Sequence, residues 1–420
     1  MSRTMKDSGI PWIGEIPSHW KLMPHKWVMH KEKEIREKYH GETILSLTMK
    51  GVIVRDLDAG GKMPSSFDGY QAVYPNDLLQ CLFDIDVTPR CVGLVKNEGL
   101  VSPAYSRFVL YSNGYTPYYD YLLRYMDDNK VLLHLSKNLR SSLTETDFGA
   151  INTCVPPLPE QQSIADFLDK KCVEIDEMIS LQEKIVEELK AYKQSVITEA
   201  VCKGLNPNVP MKDSGIEWIG QIPEGWSIDK IVRSFDLIGS GTTPKSTDDT
   251  NFEGDICWIQ SGDINGSYLT SCKNKISNNT LERFSALKVY PAPFIIVAMY
   301  GASVGNASIS QINGCVNQAC CVLKGNRLNL NYAFAAIKAC KDYLIRKAVG
   351  GGQPNISQDT IKSTWIPVPP EKEQQAIADY LERKCNEIDT LISLKQSKID
   401  ALKEYKKSII YEYITGKKEI

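Results

Sequence analysis

The sequence predicts an α+β protein: two α/β globular domains separated by an antiparallel pair of long coiled-coil helices, related by a pseudo-two-fold internal repeat. Three observations carry that expectation. A peptide motif near the start returns 206 positions later, a block near the middle returns 213 positions later, and that block has the apolar periodicity of a long helix. With 420 residues, 42% hydrophobic and 24% charged, the chain can bury more than one compact core.

The opening motif is Met5-Lys6-Asp7-Ser8-Gly9-Ile10, continuing through Trp12-Ile13-Gly14, Ile16-Pro17 and Trp20. It returns as Met211-Lys212-Asp213-Ser214-Gly215-Ile216, then Trp218-Ile219-Gly220, Ile222-Pro223 and Trp226. The second block pairs Glu160-Gln161-Gln162-Ser163-Ile164-Ala165-Asp166 with Glu373-Gln374-Gln375-Ala376-Ile377-Ala378-Asp379. These repeats divide the chain into a first segment and domain (1–158), a central helix (159–205), a repeated segment with the second domain (206–368) and a last helix (369–420).

The predicted central helix runs from Glu160 to about Lys203, roughly 65 Å at 1.5 Å per residue. Leu168, Ile175, Leu189 and Val196 fall on a seven-residue grid, as do Leu381, Ile388, Leu402 and Ile409, with Met178, Ile185 and Tyr192 expected at companion positions of the first copy. Gln182 and Lys395 interrupt both grids at one place, where a coiled coil fixes register and partner. Pro159 and Pro370 suit helix starts. A long helix with one apolar stripe needs a partner, and its own duplicate is the nearest. That pairing puts Cys172 and Cys385 near opposite ends of an antiparallel hairpin, as buried thiols. Adding turns should lengthen the hairpin; four residues inserted after Lys203 are expected to widen the distance between the globules.

The intervening regions, about 21–155 and 227–368, share almost no residue pattern. Both read as mixed α/β, with β-rich runs such as Ala72-Val73-Tyr74 and Phe294-Ile295-Ile296-Val297-Ala298 between Gly, Asn, Pro and Asp turns.

A net charge of −2 excludes a protein that coats nucleic acid by charge alone, so any such contact must be local. Twelve scattered cysteines without C-x-x-C spacing argue against both a metal site and a disulfide framework. The start shows no signal peptide, and the longest apolar stretch is too short to span a bilayer; a cytoplasmic location without membrane contact is expected.

Catalytic signatures are sparse. Gly239-Ser240-Gly241-Thr242-Thr243-Pro244-Lys245-Ser246 matches a phosphate loop except that Pro244 removes an N–H donor where the second glycine belongs, which favours an ordinary turn-rich loop. No Asn-Pro-Pro-Tyr-like methyltransferase motif is present. The Glu-x-Lys pairs Glu188/Lys190, Glu382/Lys384 and Glu404/Lys406 fall within the predicted helices, as solvated faces. The five histidines His19, His25, His30, His40 and His134 lack metal-ligand spacing and are expected in loops or at the surface.

The two opening motifs, the Pro156-Pro157 and Pro369-Pro370 markers before the Glu-Gln-Gln helix starts, and their alternation with two variable segments resemble the specificity subunit of type I restriction-modification systems. The resemblance covers essentially the whole chain. It implies two target-recognition domains, each reading half of a bipartite, asymmetric site in double-stranded DNA. It also implies two modification (methyltransferase) subunits docked on the repeated parts and restriction (translocase/nuclease) subunits joining them. S-adenosylmethionine, ATP and Mg would sit on those partners, and the chain itself would have no catalytic residue, cofactor or metal.

Base readout needs Arg, Lys, Asn or Gln on loops, and phosphate contact needs cations and hydroxyls. Aligned on the Pro-Pro markers, Arg140 falls opposite Gln353, within Asn138–Thr144 and Gly351–Ser357; Asn355 belongs to the latter segment. Further candidates are Lys50, Arg55, Lys62 and Arg90 in the first domain and Ser240, Thr242, Lys245 and Gln260 in the second. Rival expectations are a nuclease or methyltransferase with unrecognised catalytic residues, and a structural helical-hairpin adaptor.

Overall fold

The computed structural model describes residues 3–58, 64–88, 90–136, 141–245, 248–350 and 354–420. They form two compact units, 1–183 with 397–420, and 184–396. Each unit holds one globule, part of the helix Leu158–Lys203 and part of the helix Glu371–Ile414.

In the first unit a four-stranded antiparallel sheet has the order Val92–Leu94, Leu78–Gln80, Ser106–Leu110, Met29–Glu32. In the second unit Ala307–Ser310, Phe294–Ala298, Cys320–Lys324 and Leu237–Gly239 take corresponding places in the same order, with Tyr268–Leu269 added in parallel beyond Ala307–Ser310. Phe294–Ala298 is buried at every position, which explains its unbroken apolar run. A smaller three-stranded sheet accompanies each. In the first unit it is antiparallel throughout, whereas in the second Ile256–Ile259 runs parallel to Cys315–Val316. The globules thus share a topology that their sequences do not announce.

After each sheet come a helix (Thr116–Asp128; Leu330–Ala339), a shorter one and a capped turn of helix. Thr144 and Asp147 form a capping box before Glu145–Ala150, and Ser357 caps Gln358–Ser363. The chain then returns as Asn152–Val155 beside Lys21–Pro24, and as Trp365–Val368 beside Ser227–Lys230. This pairing carries the end of each opening motif to the start of a long helix.

The two repeated blocks are halves of one junction. The Trp20 indole donates to Glu160 at 3.0 Å, and the Trp226 indole to Glu373 at 3.0 Å. Buried Gln161 accepts from the Tyr115 amide and donates to the Asn113 and Pro156 carbonyls. Gln374 repeats the device with the Asn329 amide and the Pro369 carbonyl. An amide side chain suits this place because it satisfies a buried donor and buried acceptors together. The far ends of the helices complete the junctions. Gly416, at φ +71°, lies where a Cβ would be 2.4 Å from Pro17, and Gly204, at φ +72°, where one would be 3.0 Å from Trp226.

The long helices are antiparallel within each unit. In the first, the Phe167 and Tyr413 rings lie 4.4 Å apart and Lys406 reaches Asp176 at 2.7 Å. In the second, Lys193 reaches Asp389 at 2.7 Å. These two ion pairs are one pair repeated, since Lys193 and Lys406 correspond, as do Asp176 and Asp389.

Several expectations need correction. Leu168, Ile175 and Val196 are buried, but the companions of the first two rows are Cys172, Ile179 and Val186; Met178 and Tyr192 are exposed. The stripe alternates steps of four and three, so the companion row lies four residues on rather than three. His25 is wholly buried against Phe148, with ring centroids 4.7 Å apart, rather than at the surface. Cys257 and Cys272 are disulfide-bonded, joining a strand to the loop that precedes its neighbour, which scattered spacing could not announce. Cys172 is buried as expected, whereas Cys385 is half-buried. Each long helix starts within a residue or two of its expected proline; Pro159 lies inside the first turn and Pro370 just before it.

Candidate nucleic-acid interface

In the first unit, Leu45–Thr48 and Gly51–Val54 form a hairpin with Met49 and Lys50 at its turn. Thr48 fixes the turn by donating to the Gly51 carbonyl and accepting from the Lys50 amide, and Gly51 supplies φ +93°. The hairpin packs on Val92–Leu94 so closely that a Cβ at Gly93 would be 2.7 Å from Leu47. Lys50 is therefore an exposed cation on a rigid support, and Met49 beside it is also exposed. Arg55 follows the hairpin, half-buried, with its amide on the Ile44 carbonyl.

Arg90 is placed differently. Its guanidinium meets Asp128 at 2.8 Å and Asp127 at 3.3 Å with the side chain only 12% exposed, so it ties the strand Val92–Leu94 to the end of the helix Thr116–Asp128. Lys62 and Arg140 lie outside the described residues.

In the second unit the glycine-rich loop is packed rather than open. A Cβ at Gly239 would fall 2.2 Å from the Tyr290 hydroxyl, and one at Gly241 would fall 1.7 Å from the Val316 carbonyl. Ser240 donates to the Cys320 carbonyl at 2.8 Å, and the Thr242 carbonyl accepts from the Trp258 indole at 3.2 Å. The glycines answer a close approach of backbones. Lys245 is exposed beyond them, and Ser246 lies outside the described residues. Gln260 caps the short turn Ser261–Asp263, exchanging bonds with Asp263. Because Val316 pairs with Ile259, the structure brings Ser240, Thr242 and Gln260 to one region.

Asn355 is exposed and bridges both Val349 and Tyr300 through its backbone. Gln353 lies outside the described residues. Gln318 was missed in the sequence. It is exposed on the turn joining Cys315–Val316 to Cys320–Lys324, where Asn317 accepts from the Ala319 amide. The Asn-x turn is the signal that could have found it, and an exposed Gln on a fixed turn is suited to adenine edges.

Burial holds the Cys321 thiol up at about 12, so it is no nucleophile at neutral pH. Among the described residues no group of three or more His, Cys, Asp or Glu is placed to hold a metal, and no helix is long and apolar enough to cross a membrane.

The family model for the type I restriction modification DNA specificity domain matches residues 223–414. The putative type I restriction enzyme MjaX specificity subunit of Methanocaldococcus jannaschii is 28% identical over 317 residues, spanning 73% of this chain and 69% of that protein. The MjaVIII specificity subunit of the same organism is 25% identical over 287 residues, 64% of this chain and 63% of that one. Among solved structures, a chain from a study of complex assembly and conformational transition of the type I R-M system superposes with a TM-score of 0.73, covering 96% of this chain and 99% of that chain at 16% identity. The HsdS subunit from Thermoanaerobacter tengcongensis gives 0.53, covering 96% and 98% at 17% identity. These two share the fold, and the resemblance drawn from the repeated motifs is borne out.

Proposed function

We propose, from the premise that this chain belongs with the type I restriction-modification specificity subunits and carries their DNA specificity domain over residues 223–414, that it reads a bipartite, asymmetric site in double-stranded DNA. Each globule reads one half-site, and the long helices set the distance between halves much as dimer geometry sets half-site spacing. Two modification subunits dock on the repeated junctions and restriction subunits join them, in the cytoplasm. S-adenosylmethionine, ATP and Mg act on those partners, and this chain contributes recognition without catalysis.

One observation carries the reading. Two globules of like topology are fastened by the same Trp-Glu and Gln devices, yet differ in the residues they expose. Lys50 and Arg55 on one, and Lys245, Gln260, Gln318 and Asn355 on the other, are the contacts we favour. Ser240 and Thr242 serve chiefly to place the loop, and Arg90 to brace the first sheet.

Methylation mapping of DNA modified by the chain assembled with its modification subunits tests this. The expected result is a two-part asymmetric motif, with only one half altered when residues 227–368 are exchanged for those of a relative. A single continuous motif would defeat the reading. The chain alone, given DNA, Mg and S-adenosylmethionine, is expected neither to methylate nor to cut; turnover would make it the enzyme.

A further inference from the structure

In the second unit, the flank of the long helix and the end of the helix Leu330–Ala339 enclose an open pocket of about 370 Å³ whose charged lining is entirely cationic: Lys190, Lys193, Lys338 and Lys341. Two of these have acidic partners, Lys190 in Glu187 at 2.8 Å and Lys193 in Asp389 at 2.6 Å. Lys338 donates to the Gly266 carbonyl at 3.3 Å and lies over the Phe334 ring, and among the described residues no carboxylate pairs with it or with Lys341. Burial, and then the charge of Lys193, hold the Lys338 amine below its ordinary range, partly offset by Cys385 and Asp389, with Lys341 adding to the lowering. Lys338 and Lys341, the two ammonium groups here without an ion-pair partner among the described residues, repel one another, and an anion between them offsets that cost.

The first unit treats the corresponding junction in the opposite way. There Arg124 is paired with Asp120 at 2.6 Å and Arg90 with Asp128 at 2.8 Å, whereas the Lys406–Asp176 pair has its equal in Lys193–Asp389 of the second unit. Its pocket therefore carries carboxylates among its cations, Asp120, Asp128, Asp169 and Asp176 included. The second unit's pocket also adjoins the proposed contact face. Its wall includes Gly305, at φ +77°, whose Cβ would press on the Lys341 stem at 3.0 Å. The turn that ends at Gly305 begins beside Tyr300, which bridges Asn355.

We propose that this pocket holds one phosphate of the duplex backbone, giving the second unit a sequence-independent anchor that the first lacks. The proposal rests on the reading that the chain binds duplex DNA. A phosphodiester fits because its two unesterified oxygens can each accept from an ammonium group, and Asn306 also lines the pocket. Such a contact fixes position along the helix without selecting bases.

The test uses the full chain assembled with its modification subunits, titrated with its mapped site and with a scrambled duplex over a series of salt concentrations. Lys341→Gln and the double variant Lys338→Gln/Lys341→Gln are compared with Lys406→Gln, whose cation is already paired. The pocket variants are expected to weaken both duplexes by the same factor, leaving their ratio unchanged. The slope of log affinity against log salt should become shallower by about one. Lys406→Gln should keep the parental slope. A parental slope in Lys341→Gln at unchanged melting temperature overturns the proposal, and that single variant decides the matter if the double variant fails to fold. Loss of modification-subunit assembly with duplex binding intact would assign the pocket to a partner's carboxylate, and competition by inorganic phosphate with both duplexes bound as before would assign it to a free anion; each overturns it. If the unaltered complex bound neither duplex in a salt-dependent way, the functional reading itself would fall, an outcome separable from all of these.

Discussion

At the scale of single residues, His25 shows how context overrides type. It sits on the short turn after Lys21–Pro24, fully buried beside Phe148, and burial lowers its pKa from 6.5 to about 4, only partly offset by the Phe148 backbone. The folded protein therefore keeps this imidazole neutral at pH values where the unfolded chain protonates it. Its contribution is complete above the unfolded value of 6.5 and is lost as pH falls toward 4. Between pH 7 and pH 5 that amounts to about 2 kcal/mol. Urea unfolding of a His25→Leu variant should show a drop between those pH values smaller than the parent's by about that amount; an equal drop would mean that His25 charges freely in the folded state. The paired Trp, Glu and Gln residues of the junctions were legible as repeated letters. Their bonds to one another were not, because more than a hundred residues separate the partners.

At the scale of elements, the long helices were the most legible part of the chain. Their period is local, and a helix face follows from spacing alone. The choice between Met178 and Ile179 as the buried residue was harder, because both are apolar and one step apart; the seam of the partner helix decides it. Gln182 lies on the row of Leu168 and Ile175, 7% exposed, and its side-chain oxygen has no hydrogen-bond partner among the described residues. A buried acceptor without a donor costs on the order of 1–3 kcal/mol, so Gln182→Leu should raise stability by about 1 kcal/mol and the melting temperature by a few degrees. A fall in melting temperature would show that the amide is satisfied and has a positive structural role. The globules behaved oppositely. Their strands are only two to five residues long, too short for periodicity to assign, and residue patterns did not reveal that their sheets share one order.

At the scale of the molecule, the structure moves the point at which length should be changed. Residues inserted after Lys203 would fall between the helix end and Gly204, where the backbone is left-handed and packs against Trp226, and would break the junction instead of extending the rod. A coherent change adds seven residues within each long helix, after Gln182 and after Lys395, which preserves the apolar seam and lengthens the pair by about 10 Å. At roughly 3.4 Å per base pair, the unread spacer of the mapped motif should grow by about three base pairs with both half-motifs unchanged. Altered half-motifs with an unchanged spacer would show that the helices do not set the separation.

The sequence by itself determined the duplication and the two long helices with their need of a partner, since repeated motifs and a heptad stripe can be read from the letters; that the helices run antiparallel within each unit is decided by contacts such as Lys406–Asp176 and Lys193–Asp389. Tertiary structure alone decided which candidates are exposed and which are spent. Arg90 is held by two aspartates, Ser240 by a carbonyl, and Gln318 is presented to solvent, because burial and partners come from segments distant in the chain. Charge shows the same division: lysine counts were known from the start, but only folding placed Lys338 and Lys341 together without an acid between them.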